Sequence, residues 1–287
     1  MSELPRLNGV IRTLEAGGTA FATFASAEID NAVSLATSGY DGIIFEMEHN
    51  PFDMKGLRDS LQYLLNRVQL VKGGTLAPAV TPLVRIPPNG GEMNQWIAKQ
   101  VLDSGVYGVV WPHVSTVEEA RNAVAACRYP RPADRPYLEP LGQRGDAPMA
   151  AARYWGVGQQ DYYRVADVWP LNPQGEVLVT IMCEEVRAIE NLPRILKEVP
   201  GIGIVLIGEG DLSQDLGYPR DYEQPVVVEA MARIREICAE HEVVCGHPHG
   251  GVDNMQQLVD DGYRFVVAAP TRTYAALHEG RRLSIGT

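Results

Sequence analysis

The residues able to do chemistry recur at one kind of position, directly behind an apolar run. Gly42-Ile43-Ile44-Phe45 leads into Glu46, Glu48 and His49, and Leu83-Val84 leads into Arg85. Gly108-Val109-Val110-Trp111-Pro112 ends on His113, and residues 176–183 end on Glu184 and Glu185. Residues 201–208 deliver Glu209 and Asp211, and Val243-Val244-Cys245-Gly246 delivers His247 and His249. Carboxylates gathered from separate segments without matching cations raise one another's pKa, and a divalent cation relieves that repulsion. Hard oxygen ligands suit Mg²⁺ or Mn²⁺, with Co²⁺ tolerated. Arg85 offers a fixed, forked donor set for a carboxylate or a developing oxyanion. His49 is a candidate general base near neutral pH.

Taken singly, Glu46, Glu48 and Glu185 read equally well as salt-bridge partners or charges at a helix N-terminus. A lone strand-end histidine also serves as a structural hydrogen-bonder. His247-Pro248-His249 resembles the HxH metal pair of amidohydrolase barrels, but that pair belongs on a first strand and this one follows the seventh. Glu184 and Asp211 differ from the rest, because each ends a long apolar run at the same depth.

Positioning these groups requires strands. Eight candidates lie near residues 20, 43, 83, 109, 178, 204, 243 and 265, and they alternate with helical patterns. Near-continuous apolar strands separated by helices predict a parallel sheet, and eight such units predict a closed (β/α)₈ TIM barrel. A doubly wound open sheet is the alternative. The helical segments include a short one from Leu7 to Gly17 before the first strand. Another starts at Asp53, a candidate N-cap, and runs through Asn66 on a Leu57, Leu61, Leu64 and Leu65 stripe. Further helices are expected from Glu92 to Asp103, from Thr116 to Cys127, from Pro225 to His241 and over about 271–285. Residues 71–82 read as loop, and 128–150 form the longest irregular stretch. No linker divides residues 1–287, so one domain is expected.

Composition narrows the function. The chain has 287 residues, 45 % of them apolar, enough for a large core. Its net charge of −11 argues against nucleic acid and anionic membrane surfaces. Cys127, Cys183, Cys238 and Cys245 are widely spaced and read as reduced core cysteines. Residues 1–6 show no basic region followed by an apolar one, and no apolar run nears the ~20 residues of a membrane span. A cytoplasmic enzyme is expected.

The chain also resembles a known family over residues 14–277. Glu48-His49-Asn50-Pro51, Leu83-Val84-Arg85-Ile86, Leu102-Asp103-Ser104-Gly105 and Gly142-Gln143-Arg144-Gly145 carry the likeness, as do Glu184 with Asn191-Leu192-Pro193, and residues 207–218. Together they resemble the HpcH/HpaI family of metal-dependent class II aldolases acting on pyruvate-type 2-oxo acids. That resemblance implies a phosphoenolpyruvate/pyruvate-type barrel and a carbon-carbon lyase working through a metal-bound pyruvate enolate. By position it makes Glu184 and Asp211 the metal ligands and His49 the base acting through water. Asp103 becomes the acid that raises the basicity of His49, and Arg85 the residue holding the keto oxygen. The Gly210 and Asp211 amides become a carboxylate cradle. It further implies a homo-oligomer, a hexamer or trimer of dimers, with the helix near 271–285 at a subunit interface.

Departures from the family pattern bear on substrate choice. Met182 replaces a glutamine that would hydrogen-bond the substrate, Glu209 adds a charge beside the metal position, and strand seven ends in His-Pro-His. With Trp111, Trp155, Tyr162 and Tyr163, these suggest a bulkier or aromatic aldehyde. Oxaloacetate decarboxylation uses the same enolate. A CoA-thioester lyase would need a basic groove, for which Arg128, Arg131, Arg135 and Arg144 are the candidates. A barrel kept only for binding is the remaining alternative. No lysine lies at a strand end to form a Schiff base.

Overall fold

The computed structural model describes residues 4–130 and 138–270, together with Leu277 and Arg281. Its strands are β1 (Ala20–Ala25), β2 (Gly42–Glu46), β3 (Thr81–Arg85), β4 (Gly108–Trp111) and β5 (Val168–Trp169). They continue as β6 (Val177–Cys183), β7 (Ile204–Ile207), β8 (Val244–His247) and β9 (Phe265–Val267). All pairings are parallel. β1 joins β2, β2 joins β3, β3 joins β4 and β4 joins β6, after which β7, β8 and β9 lead back to β1. Eight strands therefore close on themselves as the expected (β/α)₈ barrel. The open doubly wound sheet is excluded, since it would leave two free edges.

The two-residue β5 pairs only with Val177 and Leu178 at the start of β6. It escapes sequence reading because two residues carry no periodicity. The barrel strands are apolar on both faces because barrel interior and helical layer each cover one. Every residue of β2, β4, β6, β7 and β9 is buried.

Local capping sets the helix limits. Asp53 accepts from the Lys55 and Gly56 N–H groups and starts helix Met54–Leu64. Leu65 then turns extended, and Asn66 caps a second helix, Arg67–Gly73, closed by left-handed Gly74. The stretch expected to be loop from residue 71 thus begins helical. Helix Gln95–Asp103 starts later than expected, because Gly90–Glu92 forms a 3₁₀ turn first. Thr116 and Glu119 make a reciprocal capping box at helix Val117–Ala126.

The short N-terminal helix, Gly9–Glu15, closes the end of the barrel remote from the strand C-termini. There buried Glu176 accepts the Leu7 and Asn8 N–H groups at 3.1 and 2.8 Å. The aromatic residues offered as acceptor contacts pack elsewhere; half-buried Tyr163 donates its hydroxyl to Asp146 and sits edge-on to Tyr129. Trp111, Trp155 and Tyr162 are fully buried, with Tyr107 and Trp155 stacked at 4.3 Å. All four cysteines are buried and free. Among the described residues, no helix is long and apolar enough to cross a membrane. The helix expected over 271–285 falls outside the described residues apart from Leu277 and Arg281.

Candidate active site

The C-terminal ends of β2 and β3 form one electrostatic corner. Their register sets Glu46 beside Arg85. One oxygen of the buried Glu46 carboxylate pairs with Arg85, accepting from Nε at 2.7 Å and meeting Nη2. Its other oxygen accepts the backbone N–H groups of Glu48 and His49 at 2.7 and 3.1 Å. Arg85 reaches Glu48 with Nη1 at 3.0 Å, stacks over Phe24 at 4.7 Å and touches the Met182 sulfur at 3.7 Å. The His49 imidazole stands 65 % exposed, with Nε2 3.6 Å from Glu48. Burial pushes the Glu48 carboxyl up; Arg85 and His49 offset part of that, while Glu46 adds to it.

Across the mouth, Glu184, only 1 % exposed, directly follows β6, and helix Glu209–Asp215 supplies Asp211. His113, after β4, donates its backbone N–H to Glu184 at 2.6 Å. Its ring lies 3.0 Å from Glu185 and 3.9 Å from Glu48. One ligand atom each from His113, Glu184 and Asp211 lies within 4.8 Å of the others, so the three could hold a metal ion. Burial raises Glu184 to about 7; His113 opposes this, and Glu48 and Asp211 add to it. Burial alone would lower His113, but Glu184, Glu185 and Asp211 outweigh it and the net direction is up.

Negative charge here exceeds what the local cations balance. Glu48 Oε2 is buried with no hydrogen bond among the described residues, although Arg85 stands near. A hard divalent cation fits that donor set. Gly208 makes room for the Glu184 side chain, because a Cβ on Gly208 would collide with it.

A cavity of about 650 Å³ opens over both halves, lined by His49, Arg85, Met182, Glu184, Gly210 and Asp211. Its far wall carries Glu209, Arg220, Tyr222, His249 and Asn254, and β1 adds Thr23 and Phe24.

Eight positions singled out in the sequence meet here: His49, Arg85, Met182, Glu184, Glu209, Gly210, Asp211 and His249. Asp103 does not join them within one chain. It ends the return helix Gln95–Asp103, just before β4 begins, and so lies at the opposite end of the barrel. There it pairs with buried Arg144 at 2.8 Å. Of the arginines offered for a CoA groove, the two among the described residues are not available for one: Arg128 is buried against Asp167 and Arg144 against Asp103 and Tyr162. Arg131 and Arg135 lie outside the described residues.

The sequence did not mark His113 as a ligand. Its signal was the strand-end position shared with Glu184. Arg220, Tyr222 and Phe24 carried no signal, since they reach the cavity through loops or from an apolar strand.

Residues 21–274 match the family described as HpcH/HpaI aldolase/citrate lyase. A 2-keto-3-deoxy-L-rhamnonate aldolase of Klebsiella pneumoniae is 36 % identical over 205 residues, 70 % of this chain and 64 % of that protein. The match thus spans less than two thirds of that relative's length. A hydroxypyruvate/pyruvate aldolase of Roseobacter denitrificans is 31 % identical, covering 92 % of this chain and 91 % of that one. Among solved structures, an HpcH/HpaI aldolase/citrate lyase family protein from Burkholderia cenocepacia superposes with a TM-score of 0.74 at 26 % identity, covering 96 % of this chain and 97 % of that one. This chain belongs to the HpcH/HpaI aldolase/citrate lyase family.

Proposed function

We propose that this chain is a divalent-metal-dependent class II aldolase that cleaves or forms 4-hydroxy-2-oxo acids at the C-terminal mouth of its barrel. One observation carries the reading: Glu184, buried and raised to about 7, shares a site with Asp211 and His113 beside Arg85 and His49. Glu184 and Asp211, with His113 as a third donor, would hold Mg²⁺ or Mn²⁺, with Co²⁺ as a substitute. The bound cation supplies Lewis acidity toward the carboxylate and keto oxygens of a 2-oxo acid.

The chain's own groups do the rest. His49, whose turn is fixed by Glu46, takes the 4-hydroxyl proton through a water. As the C3–C4 bond breaks, an aldehyde leaves and its electron pair passes into the enolate of pyruvate. Arg85, held by Glu46 and Glu48, donates to the oxygen on which that charge develops. Protonation at C3 then gives pyruvate. The Gly210 and Asp211 amides, at the start of helix Glu209–Asp215, face the substrate carboxylate, and Met182 packs against Arg85. The reading includes a cytoplasmic homo-oligomer, a hexamer or trimer of dimers. Any partnership of Asp103 with His49 would require a second copy of the chain.

Pyruvate release from a panel of 4-hydroxy-2-oxo acids tests the reading. EDTA should abolish turnover and Mn²⁺ or Mg²⁺ should restore it. Borohydride with pyruvate should not trap the protein. Turnover that survives chelation, or covalent trapping, overturns the mechanism; oxaloacetate as the one productive substrate would turn the assignment to a decarboxylase.

A further inference from the structure

The far wall of the cavity holds a second polar unit that the enolate chemistry does not use. Glu209 is 5 % exposed, and one oxygen of its carboxylate contacts Nδ1 of His249. Nε2 of His247 lies 3.9 Å from its other oxygen. The His249 side chain is nevertheless 63 % exposed and lines the cavity. A buried carboxylate spent on orienting one open imidazole is costly unless that ring has a task, because taking the charge out of water is unfavourable. Such a pairing occupies Nδ1 and leaves Nε2 as the ring's free polar atom.

The loop around His249 is built to hold still. Asn254 donates to the His249 carbonyl at 3.0 Å and accepts the Gly251 N–H at 2.7 Å. Gly250 donates to the Val267 carbonyl at 2.7 Å, and a Cβ there would strike Val266 and meet the Met255 methyl at 3.0 Å. Tyr222 lies over the ring at 6.0 Å, inclined by 30° to it. Its hydroxyl comes within 4.0 Å of a Cβ built on Gly210, at the edge of the metal site.

We propose that His249, positioned by Glu209, is a specificity-determining residue that hydrogen-bonds a hydroxyl of the acceptor, so that the aldehyde partner carries a hydroxyl beside its carbonyl. The inference rests on the aldolase reading. His249 follows β8, four strands round the barrel from β3 and Arg85, and lines the same cavity; with the 2-oxo acid spanning Arg85 and the Gly210–Asp211 amides, the aldehyde portion extends toward His249. The far wall carries three carboxylates, Glu209, Asp211 and Asp253, against the one guanidinium of Arg220, so its net charge favours a neutral acceptor over an anionic one. A site that hydrogen-bonds a substrate hydroxyl discriminates strongly against the analogue lacking it, whereas an apolar wall does not.

The test uses the Mn²⁺-loaded protein in the aldol direction, with pyruvate and glycolaldehyde, acetaldehyde or glyoxylate. The readout is the ratio of kcat/KM for glycolaldehyde to that for acetaldehyde, which a general loss of folded protein leaves unchanged. His249→Ala should lower the ratio about tenfold or more, mainly through KM for glycolaldehyde. Glu209→Gln should lower it in the same direction by less, and His249→Gln should recover part of it. An unchanged ratio, equal losses on both aldehydes, or a loss confined to glyoxylate overturns the proposal. Deuterium exchange into the pyruvate methyl group, followed without any aldehyde in the wild-type protein, separates the two levels. Exchange with an unchanged ratio overturns this inference alone, and absence of exchange overturns it together with the aldolase reading.

Discussion

Replacing Glu184 by glutamine should stabilise the metal-free protein at pH 8 and remove its stabilisation by metal. Glu184 titrates at about 7 in the fold against an ordinary value of 4.5, chiefly through burial. Between those values the folded chain keeps a proton that the unfolded chain has released. Stability therefore falls as pH rises through that window and stays low above it. The difference corresponds to about 3 kcal/mol. Glu48 and His113 are both raised as well, and their contributions carry the same sign. Glutamine removes the charge, yet its amide oxygen can still accept the His113 N–H, now at 2.6 Å. The EDTA-treated variant should exceed the wild type by about 2–3 kcal/mol at pH 8 and by little at pH 5. Mn²⁺ at a hundred times Kd adds about 2.7 kcal/mol to the form that binds it and should close the gap, and at a thousand times Kd it adds about 4.1 kcal/mol and should invert the order. Urea denaturation at both pH values, with EDTA or MnCl₂, measures all four differences. A variant no more stable than wild type at pH 8 in EDTA, or equal stabilisation of both proteins by Mn²⁺, would refute the reasoning.

Three further outcomes follow from the same geometry. Gly208→Ala pushes a methyl group into Glu184, so Mn²⁺ affinity measured by calorimetry should fall about tenfold or more. Arg85→Lys keeps a charge between Glu46 and Glu48 but loses the fork; kcat for pyruvate release should drop about 10²–10³-fold with metal affinity retained. Trp155→Phe loses the hydrogen bond to the Gly105 carbonyl and part of the Tyr107 stack, so it should lower stability by about 1–3 kcal/mol. Acceptor preference should stay as it was, and a shift in that preference would return Trp155 to the site.

What could be read in the sequence follows from the range of the forces involved. The eight barrel strands were legible because burial on both faces leaves continuous apolar runs such as Val177–Cys183. Asp53 and Thr116 were legible as caps because capping acts over three residues. The break at Leu65 was hidden, since the leucine stripe continues past it while Asn66 restarts the helix. Strand-end position brought His49, Arg85, Glu184 and Asp211 into one candidate set, but not the pairing among them. Glu46 and Glu48 read alike in the chain, and only register shows that Glu46 takes both Arg85 and the turn amides. Trp111, Trp155 and Tyr162 looked like acceptor contacts by residue type, whereas their burial belongs to the packing around β4. Asp103 was placed by motif alone, and motif carries no information on which end of a barrel a helix terminates.

The carboxylate of Glu46 yokes two tools with one handle. One oxygen grips the Arg85 guanidinium, and the other grips the backbone from which His49 projects. A shift of either tool drags the other, so the β2–β3 corner can change only as a block. The Glu209–His249 wall hangs from different strands and shares none of those bonds. On the proposed roles, variation in the acceptor can therefore accumulate along β7 and β8 while the β2–β3 corner stays frozen. A laboratory search for new acceptors should randomise the loops after those two strands and leave residues 46–49 and 85 alone.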